Sequence, residues 1–214
     1  FANMGFDTFT SLEYMQNVAK TPKNWAKDNV LTGCINDALD STEGRDMIYT
    51  ISVQGHGKYP SEKVIENPEI EVLRAPTEEL RWKYEYYVNQ IYEMDKFIGE
   101  LTAELAKRDE PTVLVMYGDH IPAIDITEDD LESGDLYGTQ YIIWDNFGMK
   151  KDDENLHTYQ LAAHVMDMLD MQVGTIFTYQ QNHKNSETYL SDLKALGYDM
   201  LYGKYYIYGG TNPS

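Results

Sequence analysis

A long amphipathic helix between two apolar segments is the sequence feature that most constrains the fold of this chain. Thr77 is a favourable N-cap, and apolar side chains recur after it at helical spacing, which predicts one helix over residues 77–108. Residues 112–117 (TVLVMY) follow as a continuous apolar run typical of a strand buried on both faces. Residues 47–53 (MIYTISV) precede the helix as another strand pattern. The order strand, helix, strand predicts a right-handed crossover in a parallel sheet.

The remaining patterns also alternate between helix and strand, which favours an α/β layer architecture. Asp28 is expected to cap the first helix. Further helices are predicted over residues 29–40, 158–170 and 188–196, and further strands over residues 140–144 and 205–208. With 214 residues and no internal repeat, we expect a single domain over 1–214. Its α/β part covers 1–180, and a tail with a helix and a strand covers 181–214.

The charge of the chain limits the partners it can have. The sequence holds 36 acidic and 17 basic side chains, for a formal net charge of -19. Such a surface repels a phosphate backbone, so we expect no nucleic-acid partner, whereas convergent carboxylates would attract divalent cations. Cys34 is the single cysteine and excludes an internal disulfide. No apolar run approaches the length of a membrane span, which is about 20 residues.

Two of the predicted strands end in glycine and histidine. One continues into Gly55-His56 and the other into Gly118-Asp119-His120. Because ligands bind beyond the carboxyl ends of parallel strands, these side chains are candidates for one site. Asp119 and His120 offer an oxygen and a nitrogen that suit Zn²⁺ or Mn²⁺, but a catalytic metal usually has three protein ligands. His56 is placed to donate a hydrogen bond to a bound anion. The alternative for the pair is a capping aspartate and a buried histidine.

No nucleophile stands out among these residues. The sequence contains no serine elbow, cysteine pair or phosphate-cradling glycine loop. Thr112 and Ser52 lie inside predicted strands, where a hydroxyl residue is most simply a β-former. The chain therefore offers candidate metal ligands and a candidate anion contact without a candidate nucleophile.

Three motifs in order resemble the lipoteichoic acid synthase family. They are MGFDTF (4–9), ISVQGHGKYP (51–60) and MYGDHIPAI (116–124), and the resemblance runs from about residue 3 to about residue 145, then more loosely to the end. Members are sulfatase-like enzymes of the alkaline phosphatase superfamily. The resemblance implies that this chain is the C-terminal half of such a domain, with a mostly parallel sheet flanked by helices and a small β-containing tail.

The resemblance also implies a reaction and roles for individual residues. Members transfer glycerol phosphate from phosphatidylglycerol to a cell-surface polymer, through a phosphorylated threonine and a divalent metal, usually Mn²⁺. Asp119 and His120 match the family's metal-binding pair, and His56 matches a histidine that contacts the substrate phosphate. Zn²⁺ or Mg²⁺ is possible at the same site. Ile121-Pro122-Ala123 departs from the family's usual residues at this point, which affects the identity of the acceptor.

Other functional residues of the family are expected before residue 1. These are the threonine nucleophile, a metal-binding glutamate, and the tryptophan and arginine that hold glycerol phosphate; none of the tryptophans Trp25, Trp82 and Trp144 takes the place of that tryptophan. The expected partner of this chain is therefore the missing N-terminal half of the same protein, and the piece is expected to be soluble and inactive by itself. The parent would be membrane-anchored and work at the extracellular face of a Gram-positive cell membrane.

Two alternatives are open. One is a sulfatase or phosphoethanolamine transferase, although Cys34 lacks the context of a sulfatase modification motif. The other is an extracellular binding domain that keeps the fold but binds no metal. The upstream sequence discriminates between them, because a threonine after an apolar strand supports the enzyme.

Overall fold

A computed structural model describes residues 1–212. They form two compact units, one up to Phe147 and one from Gly148 onward. The first unit contains helix α1 (Val30–Leu39), helix α2 (Glu78–Leu105), strand β1 (Val113–Tyr117) and strand β2 (Tyr141–Asp145). Short 3-10 turns lie at Ala2–Met4, Leu12–Tyr14 and Glu128–Asp130. None of the helices in residues 1–212 combines the length and apolar character needed to span a membrane.

Helix α2 forms as the sequence predicts. The Thr77 side chain accepts a hydrogen bond from the backbone N–H of Leu80, and Glu78 and Glu79 lie in the first turn, where carboxylates favour the helix dipole. Its apolar face contributes Phe97, Leu101 and Leu105 to the core, where they pack against Leu31 of α1. Leu114 of β1 and Trp144 of β2 pack against the same cluster. The long helix therefore supports the strand that carries the candidate metal ligands.

The strand pair in the described residues is antiparallel, whereas we expected a mostly parallel sheet. Val113 pairs with Asp145 and Tyr117 pairs with Tyr141. The connecting loop contains only the 3-10 turn Glu128–Asp130 and no crossover helix, so the chain returns beside β1 in the opposite direction.

Residues 47–53 lie outside any strand of residues 1–212, so the predicted right-handed crossover is not formed there. A strand needs a neighbour for its backbone hydrogen bonds, and this segment finds none among the described residues. Its apolar side chains are instead exposed, with Met47 at 77% and Ile51 at 67%. The Tyr49 hydroxyl lies 3.3 Å from the Tyr117 hydroxyl at the end of β1.

Asn146 joins the end of α2 to the start of β1. Its Oδ1 accepts a hydrogen bond from the Thr112 N–H at 2.8 Å, while its Nδ2 donates to carbonyls of Leu105, Arg108 and Glu110 at 3.3, 3.1 and 3.0 Å. These carbonyls lie at or just beyond the C-terminus of α2, where backbone acceptors lack helical partners. The Asn146 side chain thus provides hydrogen bonds to the carbonyls at the end of α2 and fixes the position at which β1 begins.

The second unit is helical in the described residues. It contains α3 (Leu161–Met168), α4 (Gly174–His183) and α5 (Tyr189–Leu201), with a 3-10 turn at Thr158–Gln160 before α3. Helix α4 was not predicted, and α5 continues to Leu201, whereas we expected a helix over residues 188–196. The division of 1–214 into an α/β part over 1–180 and a tail over 181–214 stays a prediction.

The predicted strand over residues 205–208 is wrong. Residues Tyr206–Tyr208 form a 3-10 turn, flanked by left-handed backbone at Tyr205 (φ 59) and Gly209 (φ 70). The Gly210 N–H returns to the Tyr205 carbonyl at 2.8 Å, so the backbone bonds locally and has no neighbouring strand in the described residues. The β-containing tail is therefore a helix followed by a turn.

Candidate metal and phosphate site

Asp119 and His120 lie side by side where β1 ends. Their Oδ2 and Nε2 atoms are 3.6 Å apart, and the side chains are 83% and 64% exposed, respectively. His120 Nδ1 is 2.9 Å from the Ile121 carbonyl. Because a carbonyl only accepts, Nδ1 carries the proton there, and the neutral ring then presents the lone pair of Nε2 on the side of Asp119. This is the tautomer of a metal-binding histidine whose other nitrogen is held by the backbone.

The two donor atoms fit a small divalent cation. Bonds of about 2.1 Å in tetrahedral geometry place neighbouring ligands about 3.4 Å apart, close to the observed spacing. The donor set of one carboxylate oxygen and one imidazole nitrogen suits Mn²⁺ or Zn²⁺. Within residues 1–212 no group of three or more His, Cys, Asp or Glu side chains converges to hold a metal. The described residues therefore present two candidate metal ligands, fewer than the three that a catalytic metal usually has.

Strand β2 holds this turn in place. The Gly118 N–H donates to the Gln140 carbonyl at 3.2 Å, and the Thr139 hydroxyl donates to the Gly118 carbonyl at 2.8 Å. A Cβ on Gly118 would meet Thr139 only at ordinary contact distance, 3.5 Å, and its φ is not positive. Neither the available space nor the backbone conformation therefore requires a glycine at this position.

His56 lies on a second turn, which is held by hydrogen bonds of its own. Its N–H donates to the Val53 carbonyl at 3.1 Å, and its ring Nδ1 donates to the Gly57 carbonyl at 2.5 Å. The Trp25 ring lies edge-on to the His56 ring, with centroids 4.7 Å apart. His56 is exposed, so its Nε2 side remains accessible to a ligand.

The turn before His56 rests closely on α2. A Cβ on Gly55 would lie 3.2 Å from Met94 Sδ, so here the glycine does permit a close approach. The Tyr59 hydroxyl donates to the Gly55 carbonyl at 2.9 Å. Burial, and then the neighbouring Tyr87 and Tyr86, raise the pKa of Tyr59 to about 12, so this hydroxyl keeps its proton at neutral pH.

The structure brings Asp119 and His120 together but leaves His56 without a hydrogen bond or ion pair to either within residues 1–212. The segments that lead into the two turns are linked by a hydrogen bond between the Tyr49 and Tyr117 hydroxyls. This hydrogen bond is the main reason that the pKa of Tyr117 is raised, with burial second.

Sequence reasoning missed the residues that support His56. Asp28 was expected to cap α1, but its carboxylate accepts hydrogen bonds from the N–H groups of Val53 and Gln54 instead. Gln54 and Trp25 were not singled out for this role. The only sequence signal was the polar Gln54 at the end of an apolar run, and it does not say which segment the amide contacts.

The fold and these sites define a sulfatase-like α/β protein of the alkaline phosphatase superfamily. The chain belongs to the sulfatase family, whose family model matches residues 1–171. It is 31% identical over 120 residues to a putative cyclic beta-1,2-glucan modification protein of Rhizobium meliloti (strain 1021), which covers 56% of this chain and 18% of that protein. These matches confirm the family resemblance and the fold class expected from the motifs.

A solved structure shares the fold at low identity. The chain is similar to the Streptococcus pyogenes phosphoglycerol transferase GacH in complex with sn-glycerol-1-phosphate, with a TM-score of 0.77 and 18% identity. The alignment covers 97% of this chain and 58% of GacH. The chain thus spans less than a fifth of its curated relative and little more than half of its structural neighbour.

Proposed function

We propose that this chain supplies one side of the active site of a metal-dependent phosphotransferase that moves glycerol phosphate from a phosphatidylglycerol-like lipid to a cell-surface polymer. The observation that carries this proposal is the spacing and tautomer of Asp119 and His120, which present two metal-compatible donors 3.6 Å apart at an exposed strand end. Membership of the sulfatase family and the fold shared with a phosphoglycerol transferase support it.

Each residue has a distinct role in this proposal. Asp119 Oδ2 and His120 Nε2 would hold a divalent cation, Mn²⁺ in the first place and Zn²⁺ or Mg²⁺ otherwise, which would act as a Lewis acid toward a phosphoryl oxygen. His56 contacts a phosphate oxygen of the substrate. Because its Nδ1–H is directed at the Gly57 carbonyl, His56 donates from Nε2 only when the ring is doubly protonated. The positive charge of that form matches a phosphate anion.

The nucleophile belongs to another part of the parent protein in this proposal. A threonine hydroxyl attacks phosphorus in line and loses its proton, while the diacylglycerol alcohol of the lipid leaves and takes up a proton. The acceptor hydroxyl then attacks the resulting glycerophosphothreonine, which releases the threonine hydroxyl. A glutamate from the same part adds a metal ligand. The exposed apolar segment containing Met47, Tyr49 and Ile51 supports the existence of such a partner segment, because exposed apolar surface of this kind marks an interaction site.

The location and the acceptor are also proposals. We propose that the parent is membrane-anchored and works at the extracellular face of a Gram-positive cell, where a lipid donor and a surface polymer meet. The acceptor is a glycerol phosphate polymer or, following the name of the Rhizobium relative, a glucan. Comparing transfer of labelled glycerol phosphate to these two acceptors distinguishes them.

Calorimetry with Mn²⁺ tests the metal site. In the parent protein that contains this chain, we expect binding at micromolar affinity or tighter, and we expect Asp119→Ala to abolish it. Asp129→Ala is the matched control, because it removes an exposed carboxylate of the nearby acidic loop and should leave binding unchanged. Equal affinity of the Asp119→Ala protein and the wild type would refute the proposal.

Activity assays distinguish the alternatives. The 214-residue chain alone should bind Mn²⁺ weakly and should hydrolyse no chromogenic phosphodiester, since it lacks the proposed threonine. Turnover by the pure chain would show that it contains a nucleophile. Hydrolysis of a sulfate ester by the parent would favour a sulfatase, transfer of phosphoethanolamine would favour that transferase, and a parent that binds no metal would favour a binding domain.

A further inference from the structure

A buried polar pair lies beneath the exposed turn that carries His56. Asp28 and Gln54 are only 2% and 1% exposed. Asp28 Oδ1 accepts hydrogen bonds from the N–H groups of Val53 and Gln54 at 3.3 and 3.4 Å, and the Asp28 N–H donates to Gln54 Oε1 at 2.9 Å. We call this reciprocal arrangement the Asp28–Gln54 clasp. It joins the start of α1 to the backbone two residues before His56.

The clasp is anchored to α2 as well. Gln54 Nε2 donates to Gln90 Oε1 at 3.2 Å and makes a short hydrogen bond to Glu93 Oε2. Glu93 in turn forms an ion pair with Lys27 at 2.7 Å. Gln54 is thus bound through its backbone to Asp28, just before α1, and through its side chain to α2, whereas His56 itself is exposed and contacts mainly its own turn and the Trp25 ring.

The clasp is costly for stability alone. Asp28 is buried, and burial raises the pKa of its carboxyl, opposed by hydrogen bonds from the N–H groups of Val53 and Gln54 and from the Ser52 side chain. A well-packed apolar residue would avoid this desolvation cost. An apolar residue, however, cannot accept hydrogen bonds from the two backbone N–H groups, and these bonds set the path of the chain toward His56.

We propose that Asp28 is a positioning residue for His56, because the Asp28–Gln54 clasp holds residues 53–56 so that the imidazole presents Nε2 to a phosphate group. The functional meaning of this inference rests on the proposed phosphate contact of His56. The clasp leaves the metal pair at Asp119 untouched. Its loss should therefore disturb anion binding at His56 while Mn²⁺ binding by the parent is retained.

NMR of the His56 imidazole in the ligand-free 214-residue chain tests the geometry. In the wild type, the Trp25 ring current should shift the His56 ring protons, and His56→Gln assigns their signals among the five histidines. Asp28→Ala should move these signals to the values of a mobile histidine. Asp28→Asn, which keeps the Oδ1 acceptor, should retain the wild-type signals.

Asn89→Ala is the matched control. Asn89 is also buried on α2 and holds a different loop, accepting from the N–H groups of Glu69 and Ile70. Unmoved His56 signals in Asp28→Ala, failure of Asp28→Asn to restore them, or an equal effect of Asn89→Ala would each overturn the proposal. If circular dichroism shows Asp28→Ala unfolded, Gln54→Ala removes the other half of the clasp and is judged by the same criteria.

Titration with sn-glycerol 1-phosphate adds the functional readout. The measurement is made on the parent protein, which would contain the other residues expected to hold glycerol phosphate. Loss of a partner that orients a metal ligand typically costs about 10- to 100-fold, and we expect a loss of affinity of this order for Asp28→Ala but not for Asn89→Ala. Equal affinity of Asp28→Ala and the wild type would overturn the positioning role. A wild-type parent that does not bind the ligand would instead count against the phosphate contact of His56, while the ligand-free spectra of the chain still decide whether the clasp positions the ring.

Discussion

Replacing Asn146 by alanine should destabilise the first unit by removing the link between α2 and β1. The change deletes the acceptor of the Thr112 N–H and the donor to three carbonyls at the helix end. Each such hydrogen bond contributes about 1 kcal/mol net, and the bond at 3.3 Å and the exposed carbonyl are worth less because water replaces them. We therefore expect the free energy of unfolding to fall by about 2–3 kcal/mol, or roughly 4–12 °C in the melting temperature.

Urea unfolding followed by Trp fluorescence measures this loss, since Trp144 packs against the core cluster of the same unit. Asn36→Ala is the matched control. Asn36 makes one hydrogen bond to the Thr32 carbonyl within α1, and alanine is the better helix former, so its change should lie within about 0.5 kcal/mol of zero. A loss below about 0.5 kcal/mol for Asn146→Ala, or one no larger than the control, would refute the reasoning.

The remaining predictions concern burial and close packing. Because the folded state raises the pKa of Asp28, it holds that proton more tightly than the unfolded state, and stability falls as pH rises through the raised value. Asp28→Asn should therefore gain stability relative to the wild type in denaturant titrations as the pH rises above about 4, the ordinary pKa of an aspartate, and a constant difference would contradict this. Gly203→Ala should cost about 1–3 kcal/mol in thermal unfolding, since its Cβ would lie 2.6 Å from the Asp199 Cα; a neutral change would show that the backbone yields. Tyr59→Phe should cost about 1 kcal/mol in urea unfolding by losing the bond to the Gly55 carbonyl, and no change would mean that water replaces it.

The helices of the first unit were predictable because their signals are local. The Thr77 cap predicts the start of α2, and the apolar spacing that includes Leu101 and Leu105 predicts part of its buried face, as the structure confirms; Phe97 joins the same core without having been expected there. The limits of α1 were predicted within a residue or two for the same reason. Capping and helical periodicity act over a few residues, so no knowledge of distant parts of the chain is needed.

Strands and irregular turns were harder to predict because they depend on partners. Residues 47–53 and 205–208 have strand-like composition, but no described neighbour pairs with either. Strand direction was misjudged for the same reason, since apolar composition does not say which way the partner runs. Helix α4 has little apolar periodicity and begins at a glycine with φ of 71°, so its sequence gives no helix signal.

The candidate site, like the fold, could be predicted from the sequence only in part. The sequence alone identified His56, Asp119 and His120 and, through motif order, the sulfatase-like family that the comparisons confirm. These residues could be proposed from the sequence because aspartate can bind a metal, and histidine a metal or an anion, in any fold. The distance between the side chains of Asp119 and His120 was also limited in advance, because the two residues are neighbours in the sequence.

Only the tertiary structure decided which atoms face outward and what holds them. It directs His120 Nδ1 to a backbone carbonyl, leaving Nε2 toward Asp119, and it turns Asp28 from an expected helix cap into the support of the His56 turn. Residues 28 and 54 are far apart in sequence, and hydrogen bonds between buried groups form only once α1 and α2 have excluded water around them. The sequence therefore determined the chemical groups, and packing determined their orientation.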